Sequence, residues 1–144
     1  ANDSWLQASQ NYRAMLGIYL RYIYLLLGNK LEAQHILNQV FQFAAEFINQ
    51  TSNIPDSWVA LEGKARLELM DGRAERAAQL FGAAWTQRIK NDDLLTEFER
   101  PDYEAAIAEA RSVIGGDAFD QAFAKGQAMT IDQVLKFALE TTHE

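Results

Sequence analysis

Asp71-Gly72-Arg73-Ala74-Glu75-Arg76-Ala77 repeats an earlier segment, Leu27-Gly28-Asn29-Lys30-Leu31-Glu32-Ala33, with Gly on Gly and Ala on Ala at a spacing of 44 residues. In such a segment the Gly supplies the turn that ends one helix, and a small Ala five residues on lets the next helix pack closely. Two copies at one spacing predict stacked helix pairs, an architecture of binding scaffolds more than of enzymes.

Working outward from the two turns, a first helix is expected from Ser4 to Leu27 and a second from Leu31 to about Gln50, with polar Asn49 to Asn53 as the link. The second helix carries Ala33, Ile36, Leu37, Val40 and Phe41 on one face. A third helix follows Pro55, with Trp58, Leu61, Ala65 and Leu69 spaced by three and four, and Asp71-Gly72 ends it. The fourth runs from Ala74 to about Lys90 and repeats the pattern through Ala77, Leu80, Phe81, Ala84 and Trp85.

Beyond it, Asn91 to Arg100 is acidic and lacks a sustained apolar face, so it reads as a connection. Pro101 starts a fifth helix that ends at Gly115-Gly116, and Asp117 is the expected N-cap of a short sixth helix ending near Gly126. Thr130-Ile131-Asp132-Gln133 fits a capping box before a last helix with Val134, Leu135, Ala138 and Leu139 on its apolar face. The expected fold is all-α. Residues 1–90 form two long helix pairs, and residues 91–144 form a three-helix C-terminal cap of the same domain.

Composition narrows the functional classes. A chain of 144 residues suits one domain, and 49% hydrophobic with 23% charged residues is ordinary for a globular protein. The net charge of −7 would repel a phosphate backbone, so direct nucleic-acid binding is not expected. With no Cys, disulfides, thiolate zinc sites and cysteine nucleophiles are excluded, which suits a cytoplasmic chain. The apolar run Ala14 to Leu27 contains Arg21 and is shorter than the roughly 20 residues of a membrane span, so it reads as a buried helix. Ala1 is not preceded by Met, and the chain opens directly into a helical pattern, as an excised segment of a longer protein would.

Within that first helix, residues from Met15 to Leu26 are apolar nearly all round. A helix of this kind requires cover on both sides, either from residues Asn2 to Ser9 folding back or from a second copy, and a homodimer through this face is the expectation.

The residues that follow the second Gly extend the pattern. Gly72, Ala77, Phe81 and Ala84, at offsets of zero, five, nine and twelve, resemble the second half of a tetratricopeptide repeat, and Gly28, Ala33, Leu37 and Val40 match more loosely. The stretches Ala77 to Ala84, Arg100 to Glu104, Gly116 to Phe119 and Gly126 to Thr130 resemble the C-terminal region of large bacterial regulators. Those proteins join an AAA/STAND-type ATPase module to tetratricopeptide-like repeats, with a LuxR-type helix-turn-helix, a SARP-type domain, a cyclase or a kinase elsewhere. The resemblance implies a right-handed helical stack and a sensor or protein-interaction role. Lys64 and Glu68 depart from it, standing where the family's first helix is usually apolar.

In such repeats the first helix of each pair lines a groove. Carried over, the groove positions are Met15, Ile18, Tyr22, Leu25 and Leu26 in the first pair, and Val59, Glu62, Arg66, Leu69 and Met70 in the second. Met and Arg side chains with aromatic neighbours suit a peptide-binding surface, whereas inter-repeat core is the plainer reading of the same positions. Glu62 and Arg66, one turn apart, read as a solvated pair.

No catalytic, metal or cofactor site is expected. The histidines, His35 and His143, form no H-x-x-x-H motif, and His35 reads as a surface residue. Glu97, Glu99, Asp102 and Glu104 gather carboxylates that solvate a loop and favour the following helix N-terminus. Trp85 with Tyr103, and Phe119 with Phe123, read as a small C-terminal core. The expected function is therefore a non-catalytic interaction or sensing segment whose partner is a protein, a peptide or the upstream domains of its own chain. The competing expectation is a small-ligand sensor coupled to an ATPase, which predicts an enclosed apolar pocket where peptide binding predicts an open groove.

Overall fold

A computed structural model describes residues 30–48, 57–97 and 99–140, apart from the side chains at 30, 33, 36, 43, 46–48, 57 and 59. The expected first helix, with Gly28 and the groove positions Met15, Ile18, Tyr22, Leu25 and Leu26, lies outside the described residues, as does the proposed dimer face. Six helices follow one another: α1 (Lys30–Ile48), α2 (Ser57–Met70), α3 (Ala74–Lys90), α4 (Arg100–Ile114), α5 (Gly116–Gln127) and α6 (Ile131–Leu139). No strand occurs among the described residues, and the fold is all-α as its periodicity predicts. No described helix is long and apolar enough to cross a membrane.

The second Gly segment makes the turn expected of it. Gly72 sits at φ +80°, its N–H donates to the Leu69 carbonyl at 3.1 Å, and the Arg73 N–H reaches the Glu68 carbonyl at 2.8 Å. That pair of bonds closes α2 in the Schellman manner and sends the chain back as α3. The same device ends α3 without a Gly: Asp92 takes φ +53°, and the Asp93 N–H donates to the Arg88 carbonyl at 2.9 Å. Asp tolerates this left-handed conformation better than most side chains do.

α3 is the centre of the molecule. It packs against α2 on one side and α5 on another, and α4 lies across both α3 and α5. Ala77, Leu80, Phe81 and Ala84 are all fully buried, as their spacing predicts. Where α3 meets α5 the backbones approach so closely that two positions admit no side chain. A methyl at Gly82 would overlap the Phe123 carbonyl, and one at Gly126 would overlap that of Gln79.

The C-terminal segment is more than an end cap. α6 lies along α1, the first described helix, and touches α3 as well, so the chain closes on itself. Val134, Leu135 and Ala138 are buried there, and the capping box at Thr130 and Gln133 is formed in both directions. One capping expectation is corrected. α5 begins at Gly116 behind Gly115, which takes φ +88°, so Asp117 lies within the first turn instead of capping it. The Gly115 backbone supplies a conformation that an Asp at 117 has no need to create, and Asp117 still complements the positive helix start.

Candidate functional site

The α2 positions named from the sequence do not share one open surface. Glu62 is 6% exposed, Leu69 is half-buried against the core, Arg66 is half-buried, and Met70 is the exposed member at 44%. The side chain of Val59 lies outside the described residues. Glu62 is a correction to the reading of a solvated pair. Both of its carboxylate oxygens accept from Arg88 on α3, Oε2 from Nε and Oε1 from Nη2, each at 2.7 Å.

Arg88 is 1% exposed and serves as the hub of this region. Its Nη2 also reaches Glu99 Oε2 at 3.1 Å, and its Nη1 donates to the Asp93 carbonyl at 3.1 Å. The Trp58 indole N–H then donates to Asp93 Oδ2 at 2.7 Å, so α2, α3 and the connection to α4 are tied through one guanidinium. Burial alone would lower the Arg88 pKa, but the bonds and charges of Glu62, Glu99 and Asp93 outweigh it and raise it, keeping the cation fully charged. Burial, and then the charge of Glu62, raises the Tyr103 hydroxyl in the same neighbourhood. Glu99, read from the sequence as one of several loop-solvating carboxylates, is half-buried; burial would raise it, yet bonds from Thr96 and Arg88 hold it below the usual range.

A second ionic cluster lies towards the other end of α2. Lys64, 4% exposed, donates from Nζ to Gln34 Oε1 on α1 at 2.6 Å and pairs with Glu68 Oε1 at 3.1 Å. Glu68 also accepts from Arg73 Nε at 2.6 Å and from Arg76 Nε at 3.3 Å. Burial lowers the Lys64 pKa against the raising influence of Glu68. Glu68 itself is held below the carboxylate range, because Arg73 and Lys64 outweigh the burial that would raise it. Here the two departures from the tetratricopeptide pattern find their physical reason: Lys64 and Glu68 are buried together, each neutralising the other.

Two clefts flank these helices. One, of about 380 Å³, opens between α1, α2 and α6 and is lined by Gln34, Asn38, Lys64, Glu68 and Arg73 with apolar Leu67 and Leu139. The other, of about 340 Å³, opens where α3, α4 and α5 meet. It is lined by Trp85, Tyr103, Ile107, Phe119 and Phe123 together with the exposed pair Arg111 and Asp120. Trp85 stacks on Tyr103 at 6.2 Å between ring centroids, Phe119 stacks on Phe123 at 5.7 Å, and the Arg111 guanidinium lies 4.5 Å over the Phe119 ring. Arg111 Nη2 also pairs with Asp120 at 3.1 Å.

The four aromatics do pack into the C-terminal region, but they are not a sealed core. Phe119 is buried, while Trp85, Tyr103 and Phe123 are half-buried, with part of each ring open to the groove. The positions of this groove come from three helices, and no periodicity within one helix announces it. Arg88 carries a sequence signal only in hindsight, as a cation that follows a buried stripe. His35 is on the surface, within 3.3 Å of Gln39. Among the described residues no group of three or more His, Asp or Glu is placed to hold a metal ion.

Compared with protein-family models, with curated proteins and with solved structures, the chain matches none.

Proposed function

We propose that this chain is a non-catalytic, tetratricopeptide-like interaction segment of a larger bacterial signalling or transcriptional regulator, acting in the cytoplasm. The observation that carries the interaction reading is the open aromatic groove between α3, α4 and α5. Trp, Tyr and Arg are the side chains that dominate binding energy at protein interfaces, and Trp85, Tyr103 and Arg111 line this groove. The helices behind them are held rigidly by close backbone contact and by the Arg88 hub, so a partner meets a preformed surface. The regulator assignment rests on the sequence resemblance, and the coding sequence upstream of Ala1 tests it. An ATPase module there supports the assignment, and a start codon within a few residues of Ala1 removes it.

A random peptide library displayed on phage and selected on the immobilised chain tests the interaction reading. The expected result is enrichment of peptides whose binding shifts the indole NMR signal of Trp85 and leaves that of Trp58 in place. Failure to enrich any peptide that moves the Trp85 signal would sink it.

A second reading, small-ligand sensing, rests on the cleft beside Lys64, which is open and lined mostly by polar residues where an enclosed apolar pocket is the expectation. Its mixture of buried charge, amides and leucines suits a small polar ligand, in line with an inducer-sensing role. A thermal-shift screen against metabolites checks it: a rise of several degrees that disappears in Gln34→Leu supports this role, and a flat response across the screen rejects it.

A further inference from the structure

The cleft beside Lys64 contains hydrogen-bonding capacity that the protein leaves unused. Lys64 is 4% exposed, and its ammonium carries three protons. Gln34 Oε1 and Glu68 Oε1 take two of them, at 2.6 and 3.1 Å, and no group among the described residues takes the third. Asn38, half-buried on α1, accepts from Gln34 Nε2 at 2.8 Å through Oδ1, while its own amide protons have no partner among the described residues. Glu140, exposed at the end of α6, makes neither an ion pair nor a side-chain hydrogen bond among them. All three line the same cleft.

Charge follows the same division. Lys64, Arg73 and Arg76 meet the carboxylates of Glu68 and Asp71, so this paired cluster keeps one positive charge in excess. Glu140 lines the cleft outside that cluster, with one negative charge. Glu32, Glu62, Arg66, Glu75, Asp132 and Lys136, the other described charges on α1, α2, α6 and the first turn of α3, do not line it. Leu31, Leu67 and Leu139 add apolar surface.

Resting on the ligand-sensing reading above, we propose that this cleft binds an aliphatic amino acid. Its carboxylate accepts from Lys64 and Asn38, its hydrocarbon part lies against the leucines, and its ammonium faces Glu140. A volume of about 380 Å³ stands at the small end of ligand pockets and suits a molecule of this size. A hydrogen bond from a buried ammonium to a carboxylate is of the strong, charge-assisted kind. An alkylamine lacks the acceptor and leaves the third Lys64 proton unused. A simple alkanoate makes that bond but brings a second negative charge towards Glu140 with nothing to offset it. A sugar leaves the leucines without an apolar partner. Neither Asn38 nor Glu140 is among the groove positions singled out in the sequence.

Isothermal titration calorimetry on the chain tests the proposal with leucine and with ε-aminohexanoate, which hold the ammonium near the carboxylate or far from it. Hexanoate, hexylamine and glycine are the controls, each lacking one of the three recognised parts. At least one of the two amino acids is expected to bind tenfold or more tightly than every control. Glu140→Gln should narrow the advantage over hexanoate, and Asn38→Ala the advantage over hexylamine. Both positions lie outside the fully buried core, so the melting temperature should change little. Hexanoate or hexylamine binding as tightly as both amino acids, affinity unaltered in both variants, or no heat from either amino acid overturns the proposal. If the metabolite screen yields Gln34-dependent hits that are not amino acids, the ligand class is wrong while the sensing reading stands. If nothing in the screen raises the melting temperature, both are wrong.

Discussion

On the face that α3 turns towards α2, a fully buried guanidinium meets a buried carboxylate through two 2.7 Å bonds. On the face it turns towards α5, Gly82 and Gly126 let bare backbone press against backbone. The first contact keeps two helices joined through long side chains whose charges cancel, and the second removes side chains altogether. They also fail differently. A buried ion pair is expensive to half-remove but tolerates a full apolar replacement, because most of the loss comes from stranding the surviving charge. A glycine crossing tolerates loss of distant groups but no added atom, because a packed interior has no spare volume.

The largest expected effect follows from the ionic side. Arg88→Met should destabilise the fold by about 3–5 kcal/mol, the range for stranding one member of a buried pair. Adding Glu62→Leu should recover most of that loss, as urea denaturation of the single and double variants would show. A single variant as stable as the parent would mean that water already reaches Glu62.

At the glycine crossing, Gly82→Ala or Gly126→Ala should lower stability by about 1–3 kcal/mol. Helix propensity alone predicts the opposite sign, a gain of about 1 kcal/mol in a helix interior. The sign of the change in denaturant midpoint therefore decides whether the helices touch as closely as described.

The smallest effect is a pH dependence that separates the two ionic clusters, the one around Lys64 and the one around Arg88. Glu68 and Glu99 both titrate below the ordinary carboxylate value of 4.5 in the folded chain. Groups depressed in this way contribute stability that is present above the unfolded value and is lost as pH falls through the folded one. Melting temperature should accordingly fall as pH drops below about 4.5, and the fall should be shallower in Glu68→Gln. Lys64 shares the direction of the slope but is unfavourable at neutral pH: burial lowers its pKa, so its penalty is relieved as pH rises towards 10.5. An identical acid profile in Glu68→Gln would show that the cluster around Lys64 does not set the response.

Much of the helical layout was readable from local chemistry. Gly72, Pro101, Gly115 and the Thr130 box each act within one turn of chain, so their effect is visible without knowing the fold. The apolar stripes at Leu37, Val40 and Phe41, and at Ala77, Leu80 and Phe81, likewise report a buried face by spacing alone. α2 resisted the same treatment. It is buried on nearly every side, yet Glu62, Lys64 and Glu68 interrupt its apolar pattern; Lys64 and Glu68 pair within the helix, while the partner of Glu62 and the further partners of Lys64 and Glu68 lie on other helices or on the turn that follows. A periodicity argument places charges in solvent and cannot anticipate a partner 26 residues away.

The groove was less legible still. Its aromatics were identifiable as a cluster, but whether such a cluster seals or stays open depends on how three helices diverge.

Alone, the sequence determined that the described residues are helical, about where most of their helices begin and end, and which stripes face inward, because turns, caps and amphipathic spacing are local properties of the backbone. Tertiary structure decided the rest. Burial of Arg88 with Glu62, the return of α6 to α1 and the opening of the aromatic groove all depend on contacts between residues far apart in the chain. Those contacts are set by the volume and charge that each helix presents to its neighbours.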